Sequence, residues 1–221
     1  MNRLMTLERI LDTGVVAVVR LPSSDRLLEV AQAIATGGVV AIEFTMTTPG
    51  AIDTLARASA KMDEGVVLGA GTVLDGATAR AAILAGARFV VSPTLSRETI
   101  ETCHRYDVVV IAGAYTPTEI LTAWEWGADL VKVFPATALG PRYFKDVLAP
   151  LPQVRLVPTG GVDLETAGAF IEAGAAAIAV GSNLVDPRAV AAGDFDALTE
   201  KARAFRAAVD AARSTIRNRA S

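Results

Sequence analysis

The chain has 221 residues, 52% hydrophobic but only 5% aromatic, with 20% charged and a formal net charge of −3. That much aliphatic residue excludes a disordered chain, which lacks the apolar surface needed to offset the entropy of ordering. The acidic balance, without a basic cluster, argues against a nucleic-acid partner, and no apolar run reaches the about 18 residues of a membrane span.

The first residues, Met1–Leu11, read as a short amphipathic helix. Charges stand where a signal peptide needs an unbroken apolar stretch, so a soluble cytoplasmic protein is expected. Short β-branched runs then recur at Val15–Arg20, Val39–Thr45, Val66–Ala70, Arg88–Val91, Val108–Ile111, Leu130–Phe134, Val154–Val157 and Ala176–Val180. Each is apolar on both faces rather than alternating, as parallel strands covered on both sides read. Between them, apolar spacings of three and four predict helices, among them Asp25–Ala35, Ala51–Lys61, Ala77–Ala85, Ser96–Arg105 and Leu164–Ala173. The tail, Ala202–Ala212 followed by Arg213, Arg217 and Arg219, reads as a final solvated helix that frays.

Strands alternating with helices of this length mean βαβ units and a parallel sheet. Four segments ending in Gly37-Gly38, Gly86-Ala87, Gly127-Ala128 and Gly174-Ala175 each close a helix and launch a strand. Glycine supplies the left-handed cap there, and each repeat holds two strand–helix units. Eight strands in one domain over residues 1–221 predict an α/β fold, a single (β/α)8 TIM barrel with an extra N-terminal helix. A doubly wound open sheet is the alternative fold. The single Cys103 permits no intramolecular disulfide and no thiolate zinc cage, and His104 beside it has no second histidine with which to share a metal. His104 reads as an ordinary helix-surface side chain, and no metal or cofactor is expected.

In such a barrel the chemistry lies where polar residues end apolar strands. Only four basic residues are lysines: Lys61, Lys132, Lys145 and Lys201. Three lie in helical or helix-flanking stretches, whereas Lys132 stands inside the sixth strand and shares a side with Leu130 and Phe134. Desolvation lowers a lysine pKa, and a neutral amine can attack a carbonyl to form a Schiff base. A structural pair with Glu43, or a grip on phosphate, are the other readings of that lysine. Glu43 ends the second strand between Ile42 and Phe44, where apolar surroundings suit a general acid/base. Arg20 ends the first strand and offers a bidentate fork for a substrate carboxylate, or a salt bridge to Glu43. Thr72 adds a hydroxyl on the same face, and Ser92-Pro93 ends the fourth strand. Thr159-Gly160-Gly161 and Gly181-Ser182 follow the seventh and eighth strands, where barrels of this kind hold phosphate. Glycines let N–H groups approach an anion, and a helix starting at Asp163 and Leu164 would add its positive dipole end. Either glycine turn alone is equally a tight turn.

The set Glu43-Phe44-Thr45, Gly69-Ala70-Gly71-Thr72-Val73, Val91-Ser92-Pro93, Lys132-Val133-Phe134-Pro135, Pro158-Thr159-Gly160-Gly161-Val162 and Gly181-Ser182 resembles the 2-keto-3-deoxy-6-phosphogluconate (KDPG) aldolase family. The resemblance runs over nearly the whole chain, in order and at matching spacing. It implies a class I aldolase on a (β/α)8 barrel that cleaves KDPG reversibly to pyruvate and glyceraldehyde 3-phosphate. It further implies Lys132 as the Schiff-base nucleophile, Glu43 as the general acid/base, Thr72 and Pro93 at the pyruvate end, and Phe134 beside the imine. Thr159, Gly160, Gly161, Gly181 and Ser182 would cradle the phosphate. A homotrimer acting on a small-molecule substrate without a metal is implied as well.

Two departures stand out. Thr47 occupies the position at which some members carry a carboxylate-reading arginine, a contact that Arg20 would take over here as in other members. Ala112-Gly113 replaces a common proline-glycine pair. The segment Phe134–Pro141 is also similar to sister enzymes acting on the galactonate epimer, so 2-keto-3-deoxy-6-phosphogalactonate and 4-hydroxy-2-oxoglutarate remain alternative substrates. A non-covalent sugar-phosphate isomerase or synthase barrel would share the phosphate turns but would not need a lysine inside the sixth strand.

Overall fold

The computed structural model describes residues 1–220. Eight strands alternate with helices along the chain: β1 Val15–Val19, β2 Ala41–Thr45, β3 Val67–Gly71, β4 Phe89–Val91, β5 Val109–Ala114, β6 Leu130–Val133, β7 Leu156–Pro158 and β8 Ile178–Val180. The helices are α1 Arg3–Thr13, α2 Leu27–Thr36, α3 Ala51–Ser59, α4 Gly76–Leu84, α5 Arg97–Arg105, α6 Pro117–Glu125, α7 Gly140–Leu148, α8 Ala167–Glu172, α9 Pro187–Ala192 and α10 Phe195–Ala220. The strands pair in parallel in the order β7-β6-β5-β4-β3-β2-β1-β8. One isolated parallel bridge, Thr159 to Ala179, joins the ends. The sheet therefore closes into a (β/α)8 barrel rather than lying open.

Strand alternation explains why both faces of each run are apolar. Inward side chains such as Val16, Ala41, Val67, Phe89, Val109, Leu130 and Val157 fill the barrel. Their outward neighbours, such as Ala17, Ile42, Leu68, Val90, Val110, Val131 and Leu156, pack beneath the helices. A register slip of one residue would exchange the two sets. The N-terminal helix α1 plugs the bottom: Leu7 and Ile10 join the inner core, Asn2 Oδ1 accepts from the Met5 N–H at 2.9 Å, and Gly14 at φ 65° stops the helix. The helix thus covers the N-terminal end of the barrel, and the C-terminal end opens onto its interior.

Some local expectations change. Of the repeated glycines, Gly86, Gly127 and Gly174 adopt the left-handed backbone as expected (φ 105°, 91° and 100°), but in the first repeat Gly38 does so and Gly37 does not. The helix expected from Leu164 begins only at Ala167, because Asp163 and Thr166 exchange hydrogen bonds and hold residues 163–166 as a turn. The tail is no fraying solvated helix. It starts at Phe195 and buries Leu198, Ala202, Phe205, Val209 and Ala212 against α2 and α8. Its periodicity lies upstream of the basic residues that suggested exposure. Arg213 locks it further by donating to the carbonyls of Leu11 and Asp12 at the end of α1. His104 is half-buried and hydrogen-bonds the Gly127 carbonyl oxygen at 2.9 Å, tying α5 to the next helix end. Burial beside it pushes the Cys103 thiol up to about 12, the range of an inert thiol.

Candidate active site

Two residues of opposite formal charge sit inside the barrel, on strands four places apart in the closed ring. Lys132 on β6 aligns with Gly113 on β5 and Val157 on β7, and Glu43 on β2 aligns with Val18 and Gly69. Both side chains point inward, since Leu130 and Ala41, two residues before each, belong to the inner core. Their exposures are 5% and 1%. Neither carboxylate oxygen of Glu43 has a hydrogen-bond partner. The salt bridge from Arg20 to Glu43 that the sequence left open does not form. Arg20 instead turns to Thr72, donating to its Oγ1 at 3.3 Å. Nor does a structural Lys132–Glu43 ion pair form among the described residues.

Burial sets the electrostatics. It pushes the Glu43 carboxyl above its ordinary value, against the opposing charges of Lys132 and Arg20. It pulls the Lys132 ammonium below its ordinary value, with Arg20 adding to the shift and Glu43 resisting it. Both groups are driven toward their neutral forms. A neutral amine is nucleophilic, and a neutral carboxyl can donate a proton, so the two shifts together suit carbonyl addition followed by loss of water. Lys132 Nζ also lies 5.0 Å from the centre of the Phe134 ring, whose face offers it a weak partner.

Glycine makes the room. A Cβ on Gly71 would stand 2.6 Å from the carboxyl carbon of Glu43, so only glycine lets that side chain lie across β3. A Cβ on Gly113 would stand 2.5 Å from the Thr94 nitrogen and collide with the Pro93 carbonyl. Gly113 is therefore needed because the Ser92-Pro93-Thr94 turn rests on it, whichever residue precedes it. That turn is fixed by Ser92, whose hydroxyl donates to the Thr94 carbonyl oxygen at 2.6 Å. Thr72 takes a left-handed backbone at φ 58°, a strained conformation for a β-branched residue, and this aims its hydroxyl at Arg20.

A cavity of about 630 Å³ opens over Lys132 at the C-terminal end of the barrel. It brings together Arg20, Thr72, Pro93 and Phe134 at the Lys132 end, and Thr159, Gly160, Gly161, Gly181 and Ser182 at the other. Of the candidate residues only Glu43 is not part of the lining, and it is 1% exposed. Gly160 and Gly161 adopt φ 87° and 74°. Among the described residues the N–H groups of Gly161, Val162, Ser182 and Asn183 donate to no main-chain acceptor, which leaves them available to an anion. The Thr159 hydroxyl is buried without a partner. The helix dipole expected at Asp163 is not there, since α8 starts later and the turn consumes its own donors. The N-terminus of α9 is likewise occupied by Asp186, which accepts from the Arg188 N–H. Sequence reasoning missed Asn183 and Val18, which also line the cavity. Asn183 directly follows Ser182, the one signal that pointed to it.

The chain matches a family model described as KDPG and KHG aldolase over residues 7–201. It is 37% identical over 186 residues to the 2-dehydro-3-deoxy-phosphogluconate aldolase of Treponema pallidum, covering 84% of this chain and 88% of that protein. A structure described as native KDPGal superposes with a TM-score of 0.84 at 29% identity, covering 90% of this chain and 96% of the other. A KDPG aldolase from Legionella pneumophila, with pyruvate captured as a covalent carbinolamine, superposes with a TM-score of 0.81 at 27% identity, covering 90% and 97%.

Proposed function

The chain belongs to the KDPG and KHG aldolase family, and from that premise we propose that it cleaves 2-keto-3-deoxy-6-phosphogluconate reversibly to pyruvate and glyceraldehyde 3-phosphate. The observation that carries this reading is the inward pair of Lys132 and Glu43, both buried and both driven toward the neutral form. In the cleavage direction the Lys132 amine attacks the C2 carbonyl carbon and forms a carbinolamine. Glu43, as the acid, protonates the departing hydroxyl, which leaves as water, and the iminium remains. The carboxylate so formed takes the proton of the C4 hydroxyl. The C3–C4 bond breaks, its electron pair passes into the iminium as an enamine, and the aldehyde departs. Glu43 returns the proton to C3, and water adds to the iminium and releases pyruvate and free lysine, the proton given up by that water restoring the neutral Glu43 carboxyl. One buried carboxyl thus serves each proton transfer in turn.

Arg20 with Thr72 faces the Lys132 end of the cavity and suits the substrate carboxylate, since a guanidinium binds one through two parallel hydrogen bonds. Pro93 and Phe134 wall the pyruvate unit. The glycine turns after β7 and β8, with Thr159 and Ser182, suit the phosphate. The phosphogalactonate epimer is the second reading. It is favoured by the likeness of the segment Phe134–Pro141 to enzymes acting on that epimer, together with the likeness to the KDPGal structure. Side-by-side turnover of the two phosphorylated acids and of 4-hydroxy-2-oxoglutarate decides among them.

The covalent step is tested by incubation with pyruvate, reduction with borohydride and location of the adduct by mass spectrometry. The adduct is expected on Lys132. Absence of an adduct, or one on Lys61, Lys145 or Lys201, would refute the assignment. A homotrimer without a metal is part of the same proposal, checked by light scattering and by activity in the presence of a chelator.

A further inference from the structure

The barrel is least tied together between β7 and β8. Every other neighbouring pair of strands shares two or more registered partners, whereas these share the single bridge from Thr159 to Ala179. The phosphate cradle proposed above straddles this seam, with Gly160 and Gly161 on one side and Gly181 and Ser182 on the other. A phosphate needs donors from both turns at once, each at about 2.7–3.2 Å. Its affinity therefore depends on how far apart the turns stand, and the two main-chain ties across the seam, the Thr159–Ala179 bridge and the Ala176 N–H donating to the Leu156 carbonyl oxygen at 2.9 Å, both lie on the strand side of the glycine turns.

Asn183 adds a tie beyond the strands, between the turns themselves. Its Nδ2 donates across the seam to the Val162 carbonyl oxygen at 2.8 Å. Val162 is 2% exposed and belongs to the outer core, so the acceptor is anchored. On its other side the same turn rests against the loop after β6, for a Cβ on Gly161 would stand 2.8 Å from the Thr137 Cα. The β7 turn is thus wedged between Thr137 and Asn183. Asn183 is itself exposed and lines the cavity, so packing does not explain its orientation, whereas the hydrogen bond does.

We infer that Asn183 is a positioning residue that sets the width of the phosphate cradle by tethering the β8 turn to the β7 turn. This rests on the phosphate reading of that end of the cavity. An amide suits this role because it can donate to a carbonyl without placing a negative charge beside the anion, as an aspartate would.

The test compares wild type with Asn183→Ala and Asn183→Asp, using the phosphorylated acid, unphosphorylated 4-hydroxy-2-oxoglutarate, and inorganic phosphate as a competitive probe. For Asn183→Ala, KM for the phosphorylated acid is expected to rise about tenfold, equivalent to about 1.4 kcal/mol, with the loss falling on KM rather than kcat. The inhibition constant of inorganic phosphate should rise in parallel. For Asn183→Asp the rise should be larger and should steepen as salt is lowered, because a like charge is then added. KM for 4-hydroxy-2-oxoglutarate should not follow either change. An unchanged phosphate inhibition constant in both variants would overturn the tether while leaving the cradle intact. An equal rise for phosphorylated and unphosphorylated substrates would also overturn it. Failure of inorganic phosphate to compete in the wild type would bring down the cradle and the tether together, whereas loss of pyruvate trapping on Lys132 would strike the covalent assignment instead.

Discussion

Gly71→Ala is the smallest change that probes how Glu43 is held. The new methyl carbon would stand 2.6 Å from the Glu43 carboxyl carbon and 3.2 Å from its Cγ. Comfortable carbon–carbon contact is about 3.5–4.0 Å, so one side must yield by about 1 Å. The β3 backbone is poorly free to move: Gly71 pairs with Thr45, and its carbonyl oxygen accepts from the Met46 N–H at 2.8 Å. The Glu43 side chain, held by no hydrogen bond, is what gives way. Misplacement of a catalytic group by about 1 Å can cost about 10²-fold in rate, while overpacking costs about 1–3 kcal/mol of stability. The assay is exchange of the pyruvate methyl protons into deuterated water by NMR, with borohydride trapping and thermal melting alongside. Exchange is expected to fall about 10²-fold, trapping on Lys132 to persist, and the variant to remain folded. Adding Glu43→Asp, whose shorter side chain clears the methyl, should recover part of the lost exchange. Exchange within twofold of wild type in Gly71→Ala would refute both the steric argument and the acid/base assignment of Glu43.

The buried pair also makes stability depend on pH with opposite signs. Native Glu43 keeps its proton above the ordinary value of 4.5, so the folded state binds the extra proton and stability falls as pH rises from there through the raised native value. Native Lys132 loses its proton below its ordinary 10.5, so the unfolded state binds the extra proton and stability rises with pH from the lowered native value toward 10.5. Urea unfolding across pH should show the first slope removed in Glu43→Gln and the second in Lys132→Met, and unchanged slopes would contradict the burial argument. Arg20→Ala should raise KM for the aldol substrate with a smaller effect on kcat, since a carboxylate clamp binds ground and transition states alike. A loss confined to kcat would instead place Arg20 in the chemistry.

Much of the fold was legible because its signals are local. Alternation along a strand decides which side chains face in, so Val/Ile runs apolar on both faces announce a covered parallel sheet. Their recurrence with glycine-ended helices gave the barrel, and Lys132 stood out as the lysine inside an apolar strand. The strand ends carrying Arg20, Thr72, Pro93, Thr159 and Ser182 followed from the rule that the chemistry lies at one end. In the C-terminal helix, basic residues near the end obscure the buried stripe from Leu198 to Ala212. The helix after Val162 starts later than its apolar spacing suggests because the Asp163–Thr166 turn competes with helix there.

What composition and periodicity determined by themselves was the architecture and the side on which polar residues converge, since both depend on spacing along the chain. The tertiary structure alone decided that Glu43 stays buried and unpaired inside the barrel and that Gly71 makes room for it. It also decided that Arg20 turns to Thr72 and that Asn183 reaches across the seam to Val162. Those contacts join residues far apart in sequence, and their distances are set by how the eight strands close on one another. Local propensity carries no information about that closure.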